Sequence, residues 1–548
     1  MRSAAAIPAA LLTIFLATGS AAAAPLRHTG LTLVADTGHT LLHMLAGILL
    51  ALISTLPLAT LARRETPGGA VLRTLTSLCH AIPAPGALPV TAALLVLIAG
   101  PLTGAAAEFV ILSTVTACLL WPLTRTLAKE LATVPPDLGL VALQAGMTPW
   151  QRFWRLSIPC AVPQLVQTGV RSMSMAWFVL IWAEDVVSAR AENVTRGIGG
   201  YFGAAAAARD WTGVGAAILA MTIVIIICEL LVFRPMLFWS GRFRRRGEMA
   251  LGEPVITTLF RSHASLRACT GLITAGLRGL ASLPLGPRPA AQPADSGPVP
   301  DESRIARITI ILAALAVLTG MTIWLSGTAL SLTDLLTLAG EGCITLLRTI
   351  VMLALITAFW IPAGVWIGLS RERTTLFMPV ARMVAAFPSN LLFPLAALVI
   401  ATGHPHPGLW LTPLLILNAQ WAVAFAVIGG MRRYPPSLLL TARALRLRGP
   451  LWWKTVILPG LAIPLSSGIA TAFTECWTAS LAAEYLRWGD GSISAYGLGS
   501  AVTQASLAGD LPHAVTGILL MTLIILGTDR FLWRPLQEKA ARRFRQTP

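Results

Sequence analysis

Apolar residues run in stretches of about twenty along nearly the whole chain, interrupted by short segments rich in Gly, Pro and Arg. A hydrocarbon layer about 30 Å thick, crossed at roughly 1.5 Å per helical residue, needs about twenty such residues. The pattern predicts an all-α polytopic membrane protein with about twelve transmembrane helices. They fall near 4–24, 40–62, 81–99, 106–124, 161–183 and 212–233, then 308–327, 346–369, 382–401, 409–430, 460–483 and 513–529. The first stretch has a second reading as a cleaved signal peptide, because Arg2 precedes a short apolar run and Ala21 to Ala24 offer a small-residue cleavage site. Cleavage would leave the later spans oriented as before, since either kind of segment enters with its N-terminus inside.

Composition sharpens this picture. Of 548 residues 55% are hydrophobic and 12% charged, against about 25% charged in a soluble domain, which excludes a soluble enzyme. The net charge of +17 would suggest nucleic acid in a soluble protein, but here the basic residues sit in short loops between spans. With the N-terminus inside, 30 of the 41 Lys and Arg residues fall on one side, among them Arg63, Arg64, Arg73, Arg125, Lys129, Arg152, Arg155, Arg234 and the Arg242 to Arg246 cluster. That asymmetry predicts a cytoplasmic basic side with both termini on it. Seven scattered cysteines without a C-x-x-C pair support neither a disulfide framework nor a zinc site. His404 and His406 flank prolines in a turn and are not expected to hold a metal.

The chain also repeats itself. An offset of 300 aligns Trp121 with Trp421, Pro135 and Pro136 with Pro435 and Pro436, Ala142 with Ala442, Pro159 with Pro459, Trp177 with Trp477 and Glu184 with Glu484. It continues through Gly197/Gly497, Gly199/Gly499, Asp210/Asp510 and Arg234-Pro235/Arg534-Pro535. Upstream the offset becomes 305, matching Pro57 with Pro362, Pro83 with Pro388 and Pro89 with Pro394. The expected organisation is a first six-span repeat over 1–240, a cytoplasmic linker over 241–303 and a second six-span repeat over 304–548. An even number of spans per repeat makes the halves parallel, with a pathway between them. The Pro-rich end of the linker reads as a flexible tether, and 255–283 as a candidate amphipathic helix on the membrane surface.

Between spans 4 and 5 stands Val141-Ala142-Leu143-Gln144-Ala145-Gly146-Met147-Thr148-Pro149-Trp150-Gln151-Arg152-Phe153-Trp154-Arg155-Leu156-Ser157-Ile158-Pro159. It predicts a short helix, a glycine turn and a second amphipathic helix stopped by Pro159 before the next span. One copy alone reads equally well as an interfacial helix with snorkelling arginines. The second copy, from Ala442 through Arg446, Gly449, Pro450 and Trp453 to Pro459, makes it a device of the repeat.

These loops resemble the coupling loop of permeases of ATP-binding-cassette importers, whose pattern begins E-A-A, carries a Gly six residues after the Glu and ends in I/V-x-L-P. Ile82-Pro83 to Leu88-Pro89, Phe387-Pro388 to Phe393-Pro394, Gly197-Ile198-Gly199 and Gly497-Leu498-Gly499 extend the likeness. The second half, with Pro388-Ser389-Asn390, Gln420-Trp421 and Trp477-Thr478-Ala479-Ser480, is most similar to the duplicated permeases of nitrate/sulfonate/taurine-type importers. The resemblance implies the ABC importer permease (MetI-like) fold, a place in the bacterial inner membrane, two ATP-binding-cassette ATPase subunits inside and a substrate-binding protein outside. It assigns ATPase coupling to Ala142, Gly146, Trp150, Phe153, Pro159, Ala442, Arg446, Gly449, Trp453 and Pro459. Two departures stand out: Leu140 and Leu440 replace the acidic anchor, and Arg446 replaces the second glycine, which predicts a reshaped second turn and either unequal docking of the two ATPases or an unusual partner.

Candidate pathway or gate residues are Arg171, Trp177, Glu184, Ser389, Asn390, Glu475, Trp477 and Glu484. Arg171 and Glu475 fall mid-span, where a charge costs roughly 2.5–3.5 kcal/mol. They are expected either to pair between the halves or to offer the guanidinium to a small anion. Glu184 and Glu484 are expected at the outer ends of their spans, as gate or receptor contacts or as solvated ends. The Pro83/Pro89 and Pro388/Pro394 pairs interrupt spans 3 and 9, which suits a gate or an ordinary helix start. Only three lysines exist and none closes a phosphate-binding G-x-x-x-x-G-K-[ST] loop. No catalytic residue and no cofactor of this chain's own is therefore expected, ATP and Mg belonging to the partner ATPase. The rival reading is an ion-gradient-driven transporter of the twelve-span, parallel-repeat type. A membrane enzyme is disfavoured because no H-E-x-x-H, G-x-S-x-G or intramembrane carboxylate cluster appears.

Overall fold

The structure is a computed structural model and describes residues 30–63, 67–86, 88–89, 91–92, 104–190, 197–243, 275–276, 278–285, 320, 331–401, 406–489 and 491–544. The expected span 4–24, all of 308–327 except residue 320, about half of 81–99 and most of the linker lie outside the described residues.

In the first half the elements are α1 (Gly30–Arg63), α2 (Pro67–Ala81), α3 (Gly104–Ala132), α4 (Pro136–Gln144), α5 (Pro149–Arg152), α6 (Ile158–Arg190), α7 (Ile198–Ala207), α8 (Trp211–Cys228) and α9 (Arg234–Ser240). The second half contains α10 (Leu332–Gly368), α11 (Arg371–Ala386), α12 (Phe393–Ala401), α13 (Pro407–Leu411), α14 (Leu414–Arg432), α15 (Pro436–Ala444), α16 (Gly449–Trp452) and α17 (Leu458–Ala483). A hairpin of β1 (Tyr485–Trp488) and β2 (Gly491–Ser494) follows, then α18 (Leu498–Ala508), α19 (Leu511–Thr528) and α20 (Arg534–Phe544). Eight helices among the described residues are long and apolar enough to cross a membrane, and α11 with 389–400 makes a ninth, bent by 77°. That bend falls at Pro388, so the segment expected as span 9 starts earlier and is broken where its proline pair stands.

Large aliphatic and aromatic side chains remain exposed in stripes at helical spacing, such as Leu219, Ile223 and Ile227 on α8 and Leu347, Val351, Leu355 and Phe359 on α10. In water such stripes would drive association; a hydrocarbon solvent accepts them. Between the large buried side chains, small residues at some contacts let helices approach closely. A Cβ on Gly364 of α10 would lie 2.8 Å from Val427 of α14, and one on Gly47 of α1 would lie 2.8 Å from Val115 of α3.

The halves interlock. Helix α11 packs on α6 and α8 of the first half, and α2 packs on α19 of the second. Ser174 on α6 donates to the Ala385 carbonyl and lies 3.3 Å from Asn418 Oδ1, while Asn390 Nδ2 donates to the Phe178 carbonyl at 3.2 Å.

Pro159 does not stop the coupling segment as expected. Pro149–Ala189 is one continuous helix, because Phe153–Ser157 is a π turn in which the Ile158 N–H reaches back five residues to Phe153 O. The wider turn absorbs the missing N–H and the ring of Pro159. The same device recurs at Glu229–Phe233 before Pro235, at Trp453–Ile457 before Pro459 and at Asp529–Trp533 before Pro535. Two of these turns are bracketed by an acid and an arginine five residues apart, with Glu229 3.9 Å from Arg234 and Asp529 2.7 Å from Arg534.

Candidate functional site

The end of the bundle that carries 133–157 and 433–457 is called the loop end, and the opposite one the far end. Glu184 and Glu484 sit at the far end of α6 and α17, but not as solvated helix ends: they are 0% and 2% exposed. Each is the centre of the same hydrogen-bonded node. Thr40 Oγ1 donates to Glu184 Oε2 at 3.0 Å and accepts the Ile198 N–H at 2.8 Å. Thr345 Oγ1 donates to Glu484 at 2.9 Å and accepts the Leu498 N–H at 3.0 Å. The Gly199 and Gly499 amides donate to the two carboxylates at 2.9 and 2.8 Å. A charge in such a place is tolerated only because its lone pairs are satisfied.

The G-x-G spacing follows from this geometry. A Cβ on Gly197 or Gly497 would stand 2.5 Å from Oε2 of its glutamate, and one on Gly199 or Gly499 would collide with the backbone oxygen of Ile181 or Ser480. The short helix that follows can then point its N-terminus at the acid, where the helix dipole favours negative charge. The cations differ between the nodes: Arg348 Nη1 lies 3.2 Å from Glu484, whereas the first half places His43 Nδ1 2.9 Å from Glu184, with Glu108 on the other ring nitrogen.

Sequence reasoning named the two glutamates and the glycines but missed Thr40, His43, Thr345 and Arg348. The signal was present, since the offset of 305 that pairs Pro57 with Pro362 also pairs Thr40 with Thr345 and His43 with Arg348.

A second missed feature joins the halves at the same end. Asp185 of α6 forms an ion pair with Arg487 of β1. The Gly489 amide donates to the Ala206 carbonyl at 3.2 Å, and Trp488 packs on Trp211 with ring centroids 4.8 Å apart. The hairpin of one half is thus strapped onto the other. Beneath it lies a cavity of about 60 Å³ whose wall includes Asp185, Arg487, Asn390, Phe393 and Thr503.

The remaining pathway candidates are distributed over this interface. Asn390 and Ser389 are buried in the 3-10 turn at the α11 bend, and Asn390 Oδ1 and Ser389 Oγ have no hydrogen-bond partner among the described residues. Trp177 and Trp477 are fully packed, and neither indole N–H has a hydrogen-bond partner among the described residues. Arg171 and Glu475 act on each other electrostatically, and Arg171 also feels Arg433. Among the described residues they make no direct ion pair, and Arg171 is exposed on the flank of α6.

At the loop end the turn after α4 is closed by Gly146 N–H to Leu143 O at 2.9 Å and Met147 N–H to Ala142 O at 3.1 Å. Arg446 and Leu447 make the same two bonds, to Arg443 O and Ala442 O, at 3.0 Å each. Arg446 adopts φ 51° beside φ 67° for Gly146, so the second turn is not reshaped by losing its glycine. The difference appears three residues on, where Gly449, also left-handed at φ 58°, replaces Pro149. Helix α5 begins with a Thr148/Gln151 capping box and α16 without a side-chain cap.

Ala142 and Ala442 are buried, whereas Leu138, Leu140, Val141, Leu438, Leu440 and Leu445 are exposed. Trp150, Phe153 and Trp154 cluster at centroid distances of 5.2 to 5.7 Å, as their spacing predicts, and Trp452 and Trp453 pair at 5.4 Å. Tyr434 donates to Val456 O at 2.9 Å, in the wall of a groove of about 350 Å³ beside Ala442 and Pro459. Among the described residues the first loop binds the linker: Trp150 Nε1 donates to Leu280 O and Gln151 Nε2 to Ser282 O, both at 2.8 Å. Among the described residues no group of three or more His, Cys, Asp or Glu side chains is arranged to hold a metal ion.

Residues 360–532 match the family model described as "Binding-protein-dependent transport system inner membrane component". The matched stretch holds the second loop, Glu484 with Gly497 and Gly499, and the hairpin, and it supports an integral membrane permease of a binding-protein-dependent ABC importer. No curated protein gives a significant match.

Proposed function

We propose that the chain is the fused, two-repeat permease of an ATP-driven importer, with the substrate pathway between its halves and a coupling loop at the base of each. The observation that carries this reading is the recurrence of one loop geometry at an offset of 300. Each copy is a short helix with exposed leucines, a left-handed turn and a π turn that runs without a break into a helix reaching the interface between halves. A force applied to such a loop is transmitted along a rigid rod, because a continuous hydrogen-bonded helix has no hinge of its own.

The loop end is the cytoplasmic side, by the distribution of Lys and Arg. Two ATPase subunits bind there, with ATP and Mg on them and none on this chain, and a soluble binding protein delivers substrate to the far end. In this reading the hairpin strap and the Asp185–Arg487 pair are the closure of the far end, and the pathway opens inward from the state they hold. Arg171, near but not paired with Glu475, suits a small anionic substrate, which a planar guanidinium recognises in bidentate fashion.

An ion-gradient transporter would also show two parallel six-span halves, but it has no use for paired loops of this kind. The deciding experiment is uptake into membrane vesicles that contain the chain with its ATPase and binding protein. Uptake that follows ATP supply and ignores collapse of the proton and sodium gradients supports the reading, and the reverse outcome overturns it.

A further inference from the structure

His43 stands on α1 with each ring nitrogen against a carboxylate. Nδ1 lies 2.9 Å from Glu184 Oε1, and Nε2 is hydrogen-bonded to Glu108 Oε2. A neutral imidazole has a single N–H and can donate to only one of them. Glu184 Oε2 is already an acceptor, taking the Thr40 hydroxyl and the Gly199 amide, and the Nδ1 contact to Oε1 needs one proton, on the ring or on Glu184 Oε1. The Nε2 contact then needs a second proton, on the ring or on Glu108. Two protons must therefore be shared over three groups, one more than a neutral ring and two carboxylates supply.

The second half does the same work without that requirement. Arg348, at the position of His43, is permanently charged, and no acid stands where Glu108 does. Offsets of 300 and 305 lead from Glu108 to Gly408 and Pro413, and the Arg348 guanidinium passes close to Gly408.

The titratable and charged groups around His43 come from the elements packed against it. From α3 comes Glu108 and from α6 Glu184, and these are the charges that act on the ring. Helix α7 contributes Tyr201, which feels Asp210 and Asp36. Helix α2 contributes Arg73, bonded to Ala62 O, and His80, which feels Arg125. Helix α8 carries no charged residue, and on α1 itself His39 and Asp36 stand one and two turns nearer the far end. The triad lies twenty residues from Arg63, roughly 30 Å along the helix and so at the opposite edge of the hydrocarbon layer. Its Glu108 edge is reached from outside the bundle, with 19% of that side chain exposed against 1% for His43.

We propose that His43, Glu108 and Glu184 form a proton-binding site at the far end of the first half, whose occupation completes the clamp holding α1 to α3 and α6. The clamp is whole when the second proton is bound and is weakened when it leaves, so the first half loosens as pH rises. Its counterpart around Arg348 and Glu484 does not respond. The inference stands on the side-chain geometry and is independent of what the chain transports.

The test is thermal unfolding of the purified full-length chain in lipid nanodiscs between about pH 5 and about pH 9, the range in which a histidine-centred site exchanges its proton. The wild type is expected to lose melting temperature towards the alkaline end. Glu108→Gln is expected to flatten that slope, because an amide can donate to Nε2 and satisfies a ring with one proton. His43→Arg is expected to flatten it as well, by installing the cation of the other half. A wild type without a slope, or a slope that Glu108→Gln leaves unchanged, overturns the proposal. If arginine does not fit at position 43, the Glu108→Gln comparison decides alone.

Discussion

Arg446 holds the left-handed backbone that Gly146 holds three hundred residues earlier, with φ of 51° and 67° and the same pair of turn-closing hydrogen bonds. A residue with a Cβ pays roughly 1–2 kcal/mol for that conformation, which glycine adopts freely. The side chain of Arg446 is exposed, so nothing packed is lost on removing it. Arg446→Gly is therefore expected to raise the melting temperature of the purified chain. If the guanidinium also grips an ATPase, the same variant will lose uptake while gaining stability, a combination that a purely structural role does not produce.

Thr40 and Thr345 each relay a buried N–H to a buried carboxylate, and valine has the same shape without the hydroxyl. Thr40→Val and Thr345→Val each leave one amide without an acceptor and one glutamate short of a donor, which costs about 1–3 kcal/mol per site. The two relays share no partner, so the double variant should lose close to the sum of the singles. Melting curves of the four proteins check this. A loss confined to one half would show that the nodes are not equivalent supports.

How far the chain was legible in advance depends on the kind of signal. Span positions followed from apolar runs, because hydrocarbon thickness fixes their length, and α3, α6, α8, α14 and α17 fall where expected. Pro159 misled, since a proline inside a helical pattern ordinarily ends it; the π turn that rescues it is a hydrogen-bond register, which side-chain identities do not encode directly. Arg446 misled in the same way, because the turn's bonds were strong enough to hold a non-glycine residue in place. Glu184 and Glu484 were visible as a repeated pair, but their burial depends on Thr40, Thr345 and the glycine approach, contacts formed only when α1 and α10 pack. The β-hairpin and the Asp185–Arg487 pair break the repeat, and an alignment of the halves is silent where the halves differ.

Arg171 is exposed on α6, within electrostatic reach of Glu475 and of the like-charged Arg433, and among the described residues it makes no direct ion pair with Glu475. A side chain so placed contributes little to packing, so Arg171→Ala should melt close to the wild type. If the guanidinium meets the substrate, ATP-dependent uptake should fall by at least an order of magnitude, the loss of a bidentate charge-assisted contact. Uptake at the wild-type level in a variant that reaches the membrane normally removes Arg171 from the pathway. Glu475→Gln separates the two remaining roles: it should leave uptake largely intact if Glu475 only tunes its neighbour, and abolish it if the carboxylate must hold Arg171 between turnovers.

The hairpin strap makes the most direct mechanical prediction. Asp185 and Arg487 belong to different halves, and their ion pair lies over the cavity walled by Asn390, Phe393 and Thr503. The two side chains are 27% and 24% exposed, and at that depth the loss of hydration offsets much of the Coulombic attraction, which suits a contact made and broken in each cycle. If substrate enters from the far end, the pair must part. The variant Asp185→Cys with Arg487→Cys, oxidised in vesicles, should then lose ATP-dependent uptake and recover it on reduction, while either cysteine alone transports. The closed form should still bind its ATPase, because the loops lie at the other end of α6 and α17. Full uptake by a quantitatively cross-linked protein would place the entry route elsewhere and leave the strap a static tie between the halves.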